Sequence, residues 1–292
     1  MVGTLNRIDG KIVLITGATN GLGLITAREL AQRGGTIVLV GRDTSRAQAA
    51  AEQVAGQTGG APVHTLIADL SSQEQVRALA AAFQAQFPRL DVLVNNAGAV
   101  FARRQHSVDG IEMTLALNHL APFLLTNLLM SSLKASDSAR VVTVSSMAHA
   151  GARIPFDDMN QEHTMYQGFR VYGQSKLMNL MFTYELARRL ADSSVTANAL
   201  HPGFVATNFG KSNGALWKAM FTLSRPFSIS AEQGAQTSIY LASSPEVAGT
   251  SGKYFIKRKE AKSSAASYDV AAQQRLWTLS EELTAQRATA PH

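Results

Sequence analysis

Short β-rich runs alternate with longer helix-patterned segments from one end of this chain to the other, and that rhythm limits the folds open to it. Seven runs read as strands: residues 11–16, 36–40, 63–67, 91–94, 140–145, 195–200 and 253–256. Their apolar character is nearly unbroken, as in Ile12-Val13-Leu14-Ile15 and Val141-Val142-Thr143-Val144, which suits a strand covered on both faces. Between strands, residues 72–86 place Val76, Leu79, Ala80 and Phe83 at helical spacing. Strict alternation predicts the α/β class: a doubly wound parallel sheet of about seven strands, helices on both faces, and ligands at the strands' carboxyl ends. No low-complexity linker or internal repeat divides residues 1–292, so they read as a single domain.

Composition narrows the function. The formal charge of +6 comes from 27 basic and 21 acidic residues, but only Lys257-Arg258-Lys259 forms a basic run. That run reads as a solvated turn or strand end, and no nucleic acid is expected. With no cysteine, the chain has no disulfide, thiolate metal site or cysteine nucleophile. The first ten residues lack the apolar core of a signal peptide, and no stretch approaches the roughly 18 apolar residues of a membrane span. A cytoplasmic location is the expectation. His119, His149, His163 and His201 share no metal-ligand spacing, so no metal is expected.

Two segments break the rhythm. Residues 151–171 form a long polar insertion rich in turn formers. Residues 211–226 carry Leu216, Trp217, Met220, Phe221 and Leu223 and end at Pro226. This second stretch reads either as a helix packed on the core or as a flap over an apolar substrate.

After the first strand comes Thr16-Gly17-Ala18-Thr19-Asn20-Gly21-Leu22-Gly23, leading into a helix. Glycines permit a tight turn and close backbone approach to a pyrophosphate, and the helix N-terminus offers free N–H groups. Gly17, Thr19, Asn20, Gly21, Leu22 and Gly23 are the expected cofactor contacts. The second strand ends in Val40-Gly41-Arg42-Asp43, with glycine where an NAD enzyme usually places an acid. Arg42 can pair with a 2′-phosphate, which favours NADP(H) over NAD(H). Asp43 either weakens that reading or caps the next helix. Asp69, followed by Leu70, closes the third strand as an acceptor for the adenine amino group or as a helix cap beside Ser71.

Tyr172 and Lys176 stand at i, i+4 at the head of an apolar helix extending to about residue 190. A free tyrosine titrates near pH 10, and an adjacent cation lowers that value toward a usable proton donor and acceptor. Asn118 lies in an apolar helical stretch, 111–130, that also contains Pro122. Proline has no N–H, so the Asn118 carbonyl loses its helical partner and must find another.

Taken together, the chain resembles the short-chain dehydrogenase/reductase family. The resemblance covers Thr16-Gly17-x-x-x-Gly21-x-Gly23, Asn95-Asn96-Ala97-Gly98, Asn118, Ser145-Ser146, Tyr172-x-x-x-Lys176 and Pro202-Gly203-x-x-x-Thr207. Val144-Ser145-Ser146-Met147-Ala148-His149, the insertion before Tyr172 and the Arg275-Leu276-Trp277 tail are similar to the retinol-dehydrogenase-like branch. The resemblance implies a Rossmann-like fold with Tyr172 as general acid or base and Lys176 holding the nicotinamide ribose. It also implies that Ser146 holds the substrate oxygen, with Ser145 the weaker candidate, and that the Asn118 carbonyl holds a water linked to Lys176. Asn96, Ala97 and Gly98 would sit beside the adenosine half of the cofactor. Pro202, Gly203, Val205 and Thr207 would hold its carboxamide and pyrophosphate.

These features lead to an NADP(H)-dependent oxidoreductase that interconverts a small apolar carbonyl compound and its alcohol. An ene reductase of the protochlorophyllide-reductase type and a non-catalytic NADP-binding sensor are the alternatives. The resemblance leaves a homodimer, paired through the 111–130 and 172–190 helices, and a monomer both open.

Overall fold

In the computed structural model, which describes residues 6–205 and 228–285, the apolar runs lie side by side in one sheet. Its strands are β1 (Ile12–Thr16), β2 (Thr36–Gly41), β3 (Val63–Ile67), β4 (Val92–Asn95), β5 (Arg140–Val144), β6 (Thr196–His201), β7 (Lys253–Ile256) and β8 (Lys259–Ala261). They run in the order β3-β2-β1-β4-β5-β6-β7-β8, and every adjacent pair is parallel except β7 with β8. Leu14 registers between Val38 and Leu93, and all side chains of β1 and β4 are buried. The strand order reverses between β1 and β4, which opens a crevice at their carboxyl ends.

The sheet has one strand more than the sequence predicts. β8 is three residues of Lys-Glu-Ala, too short and polar to show a period. It is reached by a tight turn in which Lys257 and Arg258 have φ of 49° and 63°. The basic run is therefore a turn and an edge strand.

Helices cover both faces. On one, α1 (Gly21–Gln32), α2 (Thr44–Gln57) and a late helix at Ala231–Ser243 bury Leu30, Val54 and Ile239 against Val13, Ile15 and Val142. On the other, α3 (Gln73–Gln86) contributes Val76, Leu79, Ala80 and Phe83 to a core with Leu14 and Leu93. The predicted 111–130 helix is not continuous. It divides into α4 (Met113–Leu115), a π-helical turn at Ala116–Leu120, α5 (Ala121–Leu128) and α6 (Met130–Lys134). The Ala121 N–H reaches back five residues to the Ala116 carbonyl, one residue before Pro122 removes the next donor.

The helix carrying Tyr172 and Lys176, α7 (Gly168–Arg189), begins a turn earlier than expected. Gly168 permits this because its Cα lies against the Phe101 carbonyl, where a side chain would collide. Every residue of α7 from 173 to 186 is buried. Phe182 and Leu186 face the sheet-side core, while Leu177, Met178 and Met181 pack with Ile154 and Phe156 of the insertion and with Leu276. The Ala231–Ser243 helix is α8, and Leu276 belongs to α9 (Val270–Ala285). Glu112, wholly buried, caps α4 and accepts from Tyr166 Oη at 2.9 Å, tying the insertion to the π-helical segment. Residues 173–186, the greater part of the 172–190 stretch that left subunit pairing open, are thus covered by the chain itself. Residues 211–226 lie outside the described residues, and no helix among those described is long and apolar enough to cross a membrane.

Candidate active site

The phosphate-loop residues are drawn together by Thr16, the last residue of β1. Its Oγ1 accepts from the Asn96 and Ala97 N–H groups, each at 3.0 Å. Asn96 Nδ2 in turn donates to the Thr16 and Gly17 carbonyls at 2.8 and 3.2 Å. This contact leaves no room for side chains. Gly17 has φ +63°, and a Cβ there would stand 2.9 Å from Ala97 Cα; one at Gly23 would stand 2.7 Å from Asn96 Nδ2. Asn20 precedes α1 without capping it through its side chain, and the first turn holds no acid. The N–H groups of that turn are left for an anion. Leu22 and Val205 meet over Gly234 of α8, where a Cβ would come within 2.7 and 2.6 Å of them and 3.4 Å of the Pro202 carbonyl. A glycine-walled cradle with an uncapped helix N-terminus fits the pyrophosphate of a nicotinamide cofactor. Thr207 lies outside the described residues.

At the end of β2, a Cβ on Gly41 would sit 2.5 Å from Thr19 Cγ2, so a side chain there would have to displace the Thr19 methyl. Arg42 is exposed and forms no ion pair among the described residues. Asp43 caps α2, accepting from the Arg46 N–H at 2.8 Å, which resolves its ambiguity in the sequence. Asp69 accepts from Ser71 N and Oγ at 2.9 and 2.7 Å, whereas Ser72 is the residue that caps α3. Leu70 buries its side chain in the core, which leaves its backbone for the cleft.

Ser146, Tyr172, Lys176 and Asn118 meet beyond the carboxyl ends of β4 and β5. The Ser146 hydroxyl is hydrogen-bonded to the half-buried Tyr172 phenol. Burial pushes that phenol up to about 12, against the opposite pull of Ser146. Lys176 is 3% exposed, donates to the Val144 carbonyl at 3.0 Å, and has its Nζ 5.6 Å from the Tyr172 ring centre. Burial lowers it to about 8. Gly98 lies over both Lys176 Nζ and Asn118 Oδ1, each 3.3 Å from where its Cβ would be. The Asn118 side chain is fully engaged. Its Oδ1 accepts from Ala99 N at 2.8 Å, and its Nδ2 donates to Ala99 O at 2.9 Å and to Ser175 Oγ at 3.0 Å. Ser145 turns away and donates to the Lys176 carbonyl at 2.8 Å.

Sequence reasoning did not single out Thr16, Ser175 or Gly234. Ser175 joins Asn118 to the helix by donating to the Tyr172 carbonyl at 2.7 Å. Its position beside Lys176 was the available signal. Among the described residues no cluster could hold a metal ion, and His119, His149 and His201 are hydrogen-bonded within the protein.

A family model described as short chain dehydrogenase matches residues 11–215. Retinol dehydrogenase 14 of Homo sapiens is 45% identical over 290 residues, covering 94% of this chain and 86% of the relative. The solved structure of an uncharacterized protein from Mycobacterium Paratuberculosis is 35% identical, covers 98% of both chains and superposes with a TM-score of 0.79. A short chain dehydrogenase from Burkholderia cenocepacia, solved in complex with NADP, is 26% identical, covering 86% of this chain and 97% of that one with a TM-score of 0.68.

Proposed function

This chain belongs to the short-chain dehydrogenase family, on its retinol-dehydrogenase-like side, and we propose that it is an NADP(H)-dependent reductase of apolar aldehydes and ketones, reversible toward the alcohols. Membership makes it a nicotinamide-binding oxidoreductase of the carbonyl–alcohol couple. The observation that carries the finer reading is the convergence of Ser146, Tyr172, Lys176 and Asn118 beside the glycine cradle.

The nicotinamide, when bound, supplies or accepts hydride at the carbonyl carbon. Ser146 holds the substrate oxygen through its hydroxyl. The Tyr172 phenol, pushed up to about 12, is protonated at neutral pH and passes its proton to that oxygen as charge gathers there. Lys176, cationic below about 8, favours the phenolate left behind and would hold the ribose hydroxyls of the bound cofactor. The Asn118 carbonyl, denied a donor by Pro122, is available to a water that returns a proton toward Lys176. Arg42 pairs with the 2′-phosphate where Gly41 supplies no acid to repel it. An apolar substrate suits Met147, the exposed residue that follows Ser146 in the chain.

The test is Tyr172→Phe, measured as NADPH oxidation over a panel of aldehydes and ketones. A fall in kcat of about 10²–10⁴ with NADPH affinity unchanged is expected. A variant that reduces carbonyls as fast as the parent overturns the assignment.

A further inference from the structure

We propose that His149 and His201 are positioning residues for Ser146, two neutral imidazoles that fix the backbone on which the serine hydroxyl is aimed. This rests on the reading of Ser146 as the group that holds the substrate oxygen.

Ser146 precedes a single 3-10 turn, Met147–His149, at the end of β5. Such a turn is too short to hold itself rigidly, and two of its three residues, Met147 and Ala148, are exposed. Its rigidity comes from the His149 side chain within it and from groups of distant segments. His149 is 2% exposed, and its Nδ1 lies 2.6 Å from the Ser146 carbonyl. The Ser264 N–H donates to His149 Nε2 at 3.1 Å. A backbone N–H can only donate, so Nε2 is bare and the imidazole proton sits on Nδ1. The bond to Ser146 is therefore a donated N–H from a fixed tautomer.

The N–H of the same peptide group is held in the same way. The Met147 N–H donates to His201 Nδ1 at 3.3 Å, which requires that nitrogen to be unprotonated. The Met147 sulfur accepts from Tyr254 Oη at 3.7 Å, and the Tyr254 ring meets His149 edge-on at 5.4 Å. The peptide on the carboxyl side of Ser146 thus has its carbonyl held by His149 and its N–H held by His201. The clamp draws on β6 and on the segment after β8, both far from Ser146 in sequence.

Both bonds to acceptor nitrogens need neutral rings. A second proton on His149 would set N–H against the Ser264 N–H, and one on His201 would set N–H against the Met147 N–H. The titratable groups facing them are each other and Tyr254, and neither imidazole forms an ion pair among the described residues. Burial, with His149 adding to it, lowers His201 to about 4, and burial lowers His149 against the pull of the Ser146 carbonyl. The clamp therefore stays closed through neutral pH.

The experiment compares kcat and KM for one ketone, the NADPH dissociation constant and the pH profile in the full-length protein. His149→Ala and His201→Ala are expected to lower kcat by up to about 10²-fold, the scale of a misplaced reacting group, without weakening NADPH. His149→Asn, which keeps a donor for Ser146, and His201→Asn, which keeps an acceptor for Met147, are expected to recover most of the loss. The acid limb of kcat, expected below neutral pH in the parent, should move to lower pH in the double variant His149→Asn with His201→Asn, which leaves neither ring to take a proton. Should the alanine variants not fold, that limb decides; an unmoved limb overturns the proposal. So do folded alanine variants at parental kcat, or asparagine variants as impaired as alanine. Ser146→Ala at parental kcat would instead remove the underlying reading of the serine.

Discussion

Lys176 holds an ammonium at 3% exposure and donates it to the Val144 carbonyl. Its pKa drops to about 8 from an ordinary 10.5 because burial disfavours the charge. Between those values the unfolded chain binds more protons than the native one, so this residue's contribution to stability improves as pH rises. Below about pH 8 the full penalty stands, at most about 3 kcal/mol. Lys176→Met is therefore expected to abolish turnover while leaving Tm at pH 7 equal to the parent's or a few degrees higher; a melt that shows a clear fall contradicts the account. At the cofactor's other end, Arg42→Ala is expected to raise KM for NADPH about tenfold or more and to leave KM for NADH nearly unchanged, by loss of a charge-assisted contact. Steady-state kinetics with both cofactors check this, and equal effects sink the NADP preference. Residues such as Tyr172, Lys176 and the loop glycines were legible because their spacing is local. Asp43 was ambiguous because capping a helix and binding a ribose call for the same side chain, and only its bond to Arg46 separates the two. Thr16 and Ser175 act across about 80 and 57 residues, a range that no spacing rule reaches.

The β7–β8 turn and the π-helical turn show what remains hidden at the level of elements. A two-residue hairpin turn with both φ values positive favours Asn-Gly, yet here it holds Lys257 and Arg258. Replacing both, Lys257→Asn with Arg258→Gly, is expected to add about 1 kcal/mol, since the backbone hydrogen bond from Arg258 N to Thr237 Oγ1 at 3.2 Å does not depend on the side chain. Urea unfolding tests this, and a lowered midpoint means that the basic side chains contribute more than their strain costs. The turn's polar character was legible, but β8 was not, because three residues carry no alternation. The break in the 111–130 helix was signalled by Pro122. The extra residue in the turn before it was not, because a one-residue slip leaves the apolar pattern intact.

Over the whole molecule, two partly or fully buried imidazoles set the response to acid. His119 is 0% exposed, and its Nε2 donates to Ser280 Oγ at 2.9 Å while that hydroxyl donates to Leu276 O at 2.7 Å. Burial lowers it to about 4, with Asn179 opposing, and His201 falls to about 4 as well. An unfolded histidine binds its proton near 6.5, so the native protein loses stability as pH falls from about 6.5 toward 4. Urea midpoints at pH 7 and pH 5 should differ by a few kcal/mol in stability, and His119→Gln should flatten the difference; an identical slope in the variant overturns this. The alternation of strands and helices made the fold class legible in full. What it could not show is how the insertion and α9 close over α7, because that closure is built from contacts between distant segments.

Those contacts carry a consequence for how the protein is made. His149 takes its second hydrogen bond from Ser264, His119 pairs with Ser280, and Gln73 donates to the Leu283 carbonyl across 210 residues. A ribosome finishes Tyr172 and Lys176 well before it reaches any of those partners. During that interval the growing chain carries Ser146, Tyr172 and Lys176 without the distant contacts that pack around them. Those supports are completed only once the 264–283 segment has followed.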